Sequence, residues 1–347
     1  IVIGQAVEKV RDTLDDDEND DTEELLATFN YDYGIVNRGS IISNGLNVGF
    51  ESTALRIEGS ADGLWSTTID GGIFNFGGIS SRAFEEDATT VSLGDGAIVG
   101  RFDNSGTLSS NVSTETNHRA ATILIEQGAF LQTITNSGIL VTSVRGYEGI
   151  GAGILDLSGT LQTITNSGNI TASFVAIDEE DLGLGSVAAI DVSSHGAGAP
   201  VTILQTMIGT NTPLIVGDVL LGAGDDLFDV QAGSVTGDVN MGAGLDQLLV
   251  TDATVTGAVD FGAGADFFSL ADGAIFTGSL IDADGTLVVD IADSTLSLTN
   301  FEPLTIDTLT ITGDSIFAIS ADLAVDDLTA PRITAQTSAT IGGDTAI

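Results

Sequence analysis

Four consecutive segments with one shared pattern determine the fold of this chain. Residues 217–236 read GDVLLGAGDDLFDVQAGSVT, residues 237–256 read GDVNMGAGLDQLLVTDATVT, and residues 257–277 read GAVDFGAGADFFSLADGAIFT. A weaker copy, GSLIDADGTLVVDIADSTLS, follows at residues 278–297. Each copy alternates aliphatic and polar residues and breaks at glycine or aspartate. A repeat of about 20 residues with this alternation is typical of a β-solenoid that makes one coil per repeat.

A longer repeat precedes these four segments. The octapeptide LQTITNSG stands at both 131–138 and 161–168, and the phrase Asn-x-Gly-x-Ile/Leu begins at Asn37, Asn75, Asn104, Asn136 and Asn166. Asparagine and glycine adopt the left-handed backbone of tight corners at the least cost, so we predict them at corners with their amides stacked in a ladder. The aliphatic residue of each phrase should point inward in one column, formed by Ile41, Ile79, Leu108, Leu140 and Ile170.

These repeats predict one elongated all-β domain, a parallel β-helix (β-solenoid) of on the order of twelve coils and roughly 60 Å in length, with coils about 4.8 Å apart. An array of β-sandwich domains is the alternative, but sandwiches would not place one corner phrase in register once per coil. We divide the chain into an N-terminal helical and acidic segment or cap (1–30), long coils with Asn-x-Gly corners (31–185), 20-residue GAGxD coils (186–300), and a C-terminal end or linker (301–347).

Composition excludes several classes of function. The 347 residues carry 50 acidic side chains against 9 lysines and arginines, for a formal net charge of -41. Such a chain repels nucleic acids and anionic membrane surfaces, which are bound by lysine and arginine. The absence of cysteine excludes disulfides and thiolate metal sites. No apolar run is long enough for a membrane-spanning helix, and the start at Ile1 predicts a processed or excised fragment whose signal segment is missing.

The phrase TNSG followed by an aliphatic residue, and the run GDVxxGAGxD, resemble the passenger domains of autotransporters, which Gram-negative bacteria export by type V secretion. The resemblance covers residues 35 to about 300. It implies a right-handed parallel β-helix, an extracellular or cell-surface location, and an outer-membrane barrel encoded downstream.

A narrower resemblance, to the calcium-binding repeats of secreted toxins, is carried by Gly222, Gly224, Asp226 and Phe228 and by the same offsets in the next two copies. Two features depart from it, since Leu221 replaces the leading glycine and the repeat is longer than nine residues. The stacked Asp226, Asp246 and Asp266 are therefore a candidate calcium ladder, because calcium prefers carboxylate and carbonyl oxygens. The alternative is that each aspartate hydrogen-bonds the backbone of its own corner.

Residues that suggest catalysis are sparse. His118 and His195 are the only histidines, and both lie in polar stretches typical of solvated loops. Ser315 belongs to a GDS triplet but no histidine follows it to act as its base. Trp65 is interpreted as a packing residue or anchor, with sugar stacking as the alternative. We therefore predict that the chain is not an enzyme, and a polysaccharide-active enzyme is only the third hypothesis.

The leading hypothesis is a structural or adhesive surface protein, a rigid acidic stalk that binds other copies of itself or cell-surface or host ligands. The alternative is a self-assembling filament or surface-layer subunit. In that case the ends of the solenoid stack between copies, and the apolar residues 1–3 supply a strand to a neighbour.

Overall fold

The chain winds through three parallel sheets, here called A, B and C, and successive strands enter the sheets in that order as far as Ile281, after which the described strands alternate between sheets A and B. The computed structural model describes residues 2–3, 32–177, 184–299, 302–319, 333–343 and 345, and every regular element within these ranges is a strand. The predicted all-β parallel solenoid is therefore confirmed. The helical segment predicted for residues 1–30 lies outside the described residues, except for a short strand at Val2–Ile3.

Sheet A runs the length of the solenoid. Its strands are β1 (Val2–Ile3), β2 (Ile35–Asn37), β5 (Thr67–Ile69), β6 (Ile73–Asn75), β9 (Ala97–Asn104), β12 (Phe130–Asn136), β15 (Thr163–Asn166), β18 (Thr202–Gln205), β21 (Leu227–Val230), β24 (Gln247–Thr251), β27 (Phe267–Ala271), β30 (Val288–Ala292), β32 (Leu304–Thr312) and β34 (Ile333–Ile341). All pairs in it are parallel except β1 with β2, and both β5 and β6 pair with β9.

Sheets B and C complete each coil. Sheet B contains β3 (Ser40–Asn44), β7 (Gly78–Phe84), β10 (Thr107–Thr114), β13 (Ile139–Gly146), β16 (Asn169–Ala176), β19 (Leu214–Val216), β22 (Gly233–Thr236), β25 (Ala253–Thr256), β28 (Ile275–Gly278), β31 (Thr295–Leu298) and β33 (Ile316–Ile319). Sheet C contains β4 (Ser52–Ile57), β8 (Ala88–Leu93), β11 (His118–Ile125), β14 (Gly149–Asp156), β17 (Ser186–Asp191), β20 (Asp218–Leu220), β23 (Val239–Asn240), β26 (Val259–Asp260) and β29 (Leu280–Ile281).

The predicted inward column is the spine of the core. Each of its five members pairs directly with the next across sheet B, from Ile41 to Ile170. The column then continues without a break through Ile215, Val235, Val255, Phe276, Leu296 and Phe317. Every member is buried except Ile41, which is partly buried at the first coil. One hydrophobic core therefore extends from Ile35 to Phe317, as the repeats predicted.

The predicted asparagine ladder is present in the long coils, but the left-handed backbone predicted for these corners is wrong, because the five asparagines end sheet A strands and neither they nor the glycines two residues later have a positive φ. The side-chain amide of each asparagine donates to the amide oxygen of the next, at 2.7, 2.7, 2.8 and 2.9 Å from Asn37 through to Asn166. Asn166 then donates to Gln205 at 3.2 Å, and Gln205 donates to the backbone carbonyl of Ala232. Beyond that point the column is aliphatic, beginning at Val230. The ladder thus ends where the short coils begin.

The GAG corners of the short coils require glycine for two reasons. Gly242 and Gly262 have left-handed φ angles of 90° and 68°, a backbone conformation that residues with a side chain rarely adopt. A Cβ at either position would also lie 1.7 Å from the carbonyl oxygen of the glycine one coil earlier. The stacking of the corners therefore leaves no space for a side chain.

The described residues include no helix of the length and apolarity that a membrane span requires.

Candidate functional site

Asp226, Asp246 and Asp266 form the predicted column at the start of sheet A strands, and they are almost fully buried. One carboxylate oxygen of each accepts a hydrogen bond from a backbone N–H of the preceding coil. The donor atoms are those of Val201 at 2.7 Å, Asp226 at 2.8 Å and Asp246 at 2.8 Å. The aspartates therefore join one coil to the next, a stabilising role that needs no metal.

The second carboxylate oxygen of each aspartate has no hydrogen-bond partner and is inaccessible to solvent. Each carboxyl group is therefore only half satisfied in the interior, where an unpaired charge is costly. Burial is the main cause that raises the pKa of Asp226, and it raises those of Asp246 to about 7 and Asp266 to about 6. Asp246 and Asp266 consequently bind protons at a pH closer to neutral than ordinary aspartates do, and the pKa of Asp226 is shifted in the same direction.

The observed hydrogen bonds of the aspartate column are to backbone N–H groups, and its geometry does not indicate a metal site. Within the described ranges, no group of three or more histidine, cysteine, aspartate or glutamate side chains is arranged to hold a metal ion. Some glycine carbonyls that would complete a calcium shell are also engaged, since that of Gly222 accepts from the N–H of Ala243 at 3.1 Å. A calcium ladder at Asp226, Asp246 and Asp266 stays a prediction.

Calorimetry tests the calcium prediction. If calcium occupies the column, titration at pH 8 should detect a site of millimolar or tighter affinity that is lost when all three aspartates are replaced by asparagine. Binding to the folded state alone should also raise the melting temperature of the wild type but not of the variant. Equal heats and equal melting shifts in the two proteins would leave the aspartates with their backbone-binding role only.

His195 forms a buried ion pair, so the prediction of a solvated loop histidine is wrong. Its Nε2 lies 2.6 Å from the Oδ2 atom of Asp156, and both side chains are fully inaccessible to solvent. Its Nδ1 lies 3.2 Å from the carbonyl oxygen of Ala199. Desolvation acts to lower the pKa of His195, but the Asp156 carboxylate outweighs it, and the net shift is upward from the usual value. A positive charge on the imidazole satisfies both acceptors.

Loss of the His195 imidazole should destabilise the corner between β17 and β18. We expect His195→Leu to cost about 2 kcal/mol, because Asp156 loses its buried counter-charge. The cost is limited because Asp156 also accepts from the hydroxyl and N–H of Ser158 and from the N–H of Leu161. Urea denaturation at pH 6 measures the difference.

His118→Leu is the matched control. Its Nδ1 lies 3.6 Å from Asp87 with the side chain 26% exposed, so it is a partly buried strand residue and not a solvated loop residue. Exposed or partly exposed pairs contribute little, so the cost should stay below about 1 kcal/mol. Equal costs for the two variants would show that the His195 pair is not a buried ion pair in solution.

The remaining residues that suggested chemistry do not assemble with a histidine. Ser315 is buried, its hydroxyl donates to the carbonyl of Thr312 at 2.5 Å, and it lies many coils from His195. Trp65 is not a packing residue, because it lies in the loop between β4 and β5 with 75% of its surface exposed. Hydrogen bonds hold that loop in place. The hydroxyl of Ser60 donates to the carboxylate of Asp62 and accepts from the N–H of Trp65, and the N–H of Ser60 donates to the carbonyl of Trp65. The anchor interpretation of Trp65 and its sugar-stacking alternative therefore both stay predictions.

The comparisons with known proteins identified no relative of this chain. No family model, curated protein or solved structure matches the chain.

Proposed function

We propose that this chain is a rigid structural or adhesive rod on the surface of a Gram-negative bacterium, of the autotransporter passenger type. The observation that carries the proposal is the single uninterrupted core of the solenoid from Ile35 to Phe317. Each coil adds about 4.8 Å along the axis, so the strands of sheet A alone span roughly 50 Å. A shape of this kind holds a surface away from the cell rather than enclosing a substrate.

The charge and the internal contacts support this role. A net charge of -41 keeps such a rod soluble outside the cell and prevents it from collapsing onto other anionic surfaces. Both histidines are engaged with carboxylates, and the hydroxyl of Ser315 is engaged with backbone. The polar interior of the described coils is thus used to join one coil to the next.

Two measurements test the proposal. Antibodies raised against residues 32–319 should label intact cells of the source organism, and labelling only after permeabilisation would contradict a surface location. Three further copies of residues 237–256, inserted after Thr256, should lengthen the particle by roughly 14 Å in small-angle scattering. Insertion of the same residues in shuffled order is the control, since it lacks the register that stacks each copy on the last.

A second candidate, a self-assembling filament subunit, is favoured by the position of β1. This strand pairs antiparallel with β2, Val2 opposite Val36 and Ile3 opposite Ile35, at the start of sheet A. A terminal strand that pairs with the end of a solenoid can pair equally with the end of another copy. Removal of residues 1–28 should then abolish polymers and retain the β-rich circular dichroism spectrum. Polymers that persist in the truncated protein would exclude strand exchange.

A further inference from the structure

The outer face of sheet B carries two rows of residues without a charged side chain. Each of the 11 strands of this sheet contributes one residue to the column that runs from Ile41 to Phe317. The residues immediately before and after each column member point outward, in rows that run from Ser40 to Ile316 and from Ile42 to Ala318. All of them are serine, threonine, asparagine, glycine, alanine, valine, leucine or isoleucine, and none is buried. We call these two rows stripe B.

The absence of charge from stripe B does not follow from the composition. Charged residues make up 17% of the chain, and the formal net charge is -41. The outward rows of sheet A contain charged residues in long and short coils, among them Arg101, Asp229 and Asp290. Those of sheet C contain Arg56 and Asp260. Of the three sheets, sheet B is therefore the one at which another anionic rod meets the least repulsion.

Stripe B is also regular along its length. The parallel pairing of sheet B passes from β3 to β33 without a shift in register. In contrast, the register shifts between β17 and β20 in sheet C and between β32 and β34 in sheet A. The outward side chains of stripe B therefore repeat once per coil, about every 4.8 Å, over roughly 50 Å.

In the short coils, stripe B presents hydroxyl groups that the described chain does not use. The side chains of Thr236, Thr256 and Thr277 are exposed, and those of Ser234 and Thr254 are partly exposed. None of these five hydroxyls makes a hydrogen bond with the part of the chain that the structure describes. A free hydroxyl both donates and accepts, so two such rows that face each other can pair without any charge.

The length and the period of stripe B restrict the partner that could cover it. A contact along the whole stripe needs a partner surface that is equally long, uncharged and periodic at the spacing of the coils. A compact domain has no such period, and a flexible chain would lose its conformational entropy over the whole length of the contact. A second copy of this chain presents a matching surface, because the same patch can serve both subunits of a two-fold pair.

The area of stripe B suits a weak and reversible contact. Two rows set two residues apart make a surface about 10 Å wide, so a stripe roughly 50 Å long buries about 500 Å² on each copy and about 1,000 Å² in the pair. A total of about 1,000 Å² is near the lower limit of specific interfaces. Rods held close together at one surface would still associate, because their effective concentration is high.

We propose that two copies of the chain associate side by side, face to face, through stripe B. This inference rests on the proposed role as a surface rod, and it names a second copy as partner and the face that binds it. The contact differs from an exchange of terminal strands, which would join rods end to end. Because the other faces of both copies are anionic, the contact should strengthen as salt screens their repulsion, whereas a contact made by ion pairs would weaken.

Analytical ultracentrifugation of the whole chain measures the association. We expect monomers at about 0.02 M salt and dimers with a Kd on the order of 10⁻⁵ M at about 0.5 M salt. Thr256→Asp places like charges in the contact and should weaken the association at least about tenfold. Thr165→Asp is the matched control, because Thr165 points outward from sheet A and the variant carries the same added charge. It should change the Kd by less than about twofold.

Cross-linking gives a second measurement that adds no charge. The chain has no cysteine, so Val216→Cys supplies a single thiol in β19, the sixth of the 11 strands and thus the midpoint of stripe B. A short bis-maleimide should join two copies through this thiol for either relative direction of the rods, because the midpoints meet in both. Thr165→Cys, on sheet A, should give no cross-linked dimer.

Three results would overturn the inference. They are a protein that stays monomeric at high salt, an association that weakens as salt is added, and a stripe variant that behaves like its control on sheet A. Circular dichroism of each variant confirms that the β-rich fold is kept. A monomeric rod that labels intact cells would overturn this inference alone and leave the structural role in place.

Discussion

Replacing Leu140 with aspartate is expected to unfold the coils around residue 140. Leu140 is fully buried and pairs with Leu108 on one side and Ile170 on the other, in the column that forms the spine of the core. The change removes a packed aliphatic side chain and places a carboxylate where no counter-charge exists, at a cost of more than about 4 kcal/mol. Because each coil contacts only its neighbours, hydrogen exchange should accelerate first in β10, β13 and β16.

The matched control is Ile139→Asp, the same kind of change one residue earlier. Ile139 points outward from the same strand and is 41% exposed. An added surface charge there should cost less than about 1 kcal/mol and leave the exchange pattern unchanged. Equal destabilisation by the two variants, measured by urea denaturation, would contradict the inward and outward assignment of β13.

The core and its register were predictable for two reasons. The side chains of a strand point alternately inward and outward, and the sequence repeat determines which residues stack on one another. Once Asn136 and Asn166 stand at the same place in two identical octapeptides, coil stacking brings their amides together. The adjacent aliphatic column follows from the same register. The 20-residue repeat places Asp226, Asp246 and Asp266 in a column in the same way.

The features that could not be predicted depend on contacts between unlike coils. His195 occurs once, in a polar stretch, and is buried only because the chain brings it against Asp156, 39 residues earlier. The inward turn of Thr90 and Thr122 in sheet C was missed because polar residues of a strand are expected on its outer face. Both are buried, and their hydroxyls donate to backbone carbonyls of sheet B. The periodicity of the sequence thus predicts the repeated columns. A polar residue that occurs once in the sequence can be recognised as buried only from the structure.

The stability of the short coils is expected to fall as the pH rises through neutrality. The pKa of Asp246 is raised from its usual value of 3.8 to about 7, chiefly by burial, so the folded state binds the proton more tightly than the unfolded state. Such a group contributes stability that is fully present below pH 3.8 and is lost as the pH rises through the folded value. A shift of this size corresponds to a loss of roughly 4 kcal/mol between about pH 4 and pH 8.

Asp246→Asn removes this proton and should make the short coils more stable than the wild type at pH 8. Asparagine keeps an oxygen that accepts from the N–H of Asp226, so the bond between the coils is retained without the charge. The two proteins should have similar stability near pH 4 and diverge as the pH rises. Urea denaturation across this range, followed by hydrogen exchange in β21, β24 and β27, measures the divergence.

The control for this prediction is Asp225→Asn, because Asp225 also accepts from a backbone N–H of a neighbouring coil, that of Leu245 at 2.9 Å, but is exposed. Asp225→Asn should change the pH dependence much less than Asp246→Asn does, because the charge of Asp225 is only a minor cause of the raised pKa of Asp246. The raised pKa of His195 acts in the same direction, since the stability of its ion pair is also lost at high pH, and it is unchanged in both variants. A pH profile in which Asp246→Asn and Asp225→Asn coincide would show that the buried column holds its charge without cost. In that case a bound cation is the remaining counter-charge, and the calcium titration at pH 8 becomes the deciding measurement.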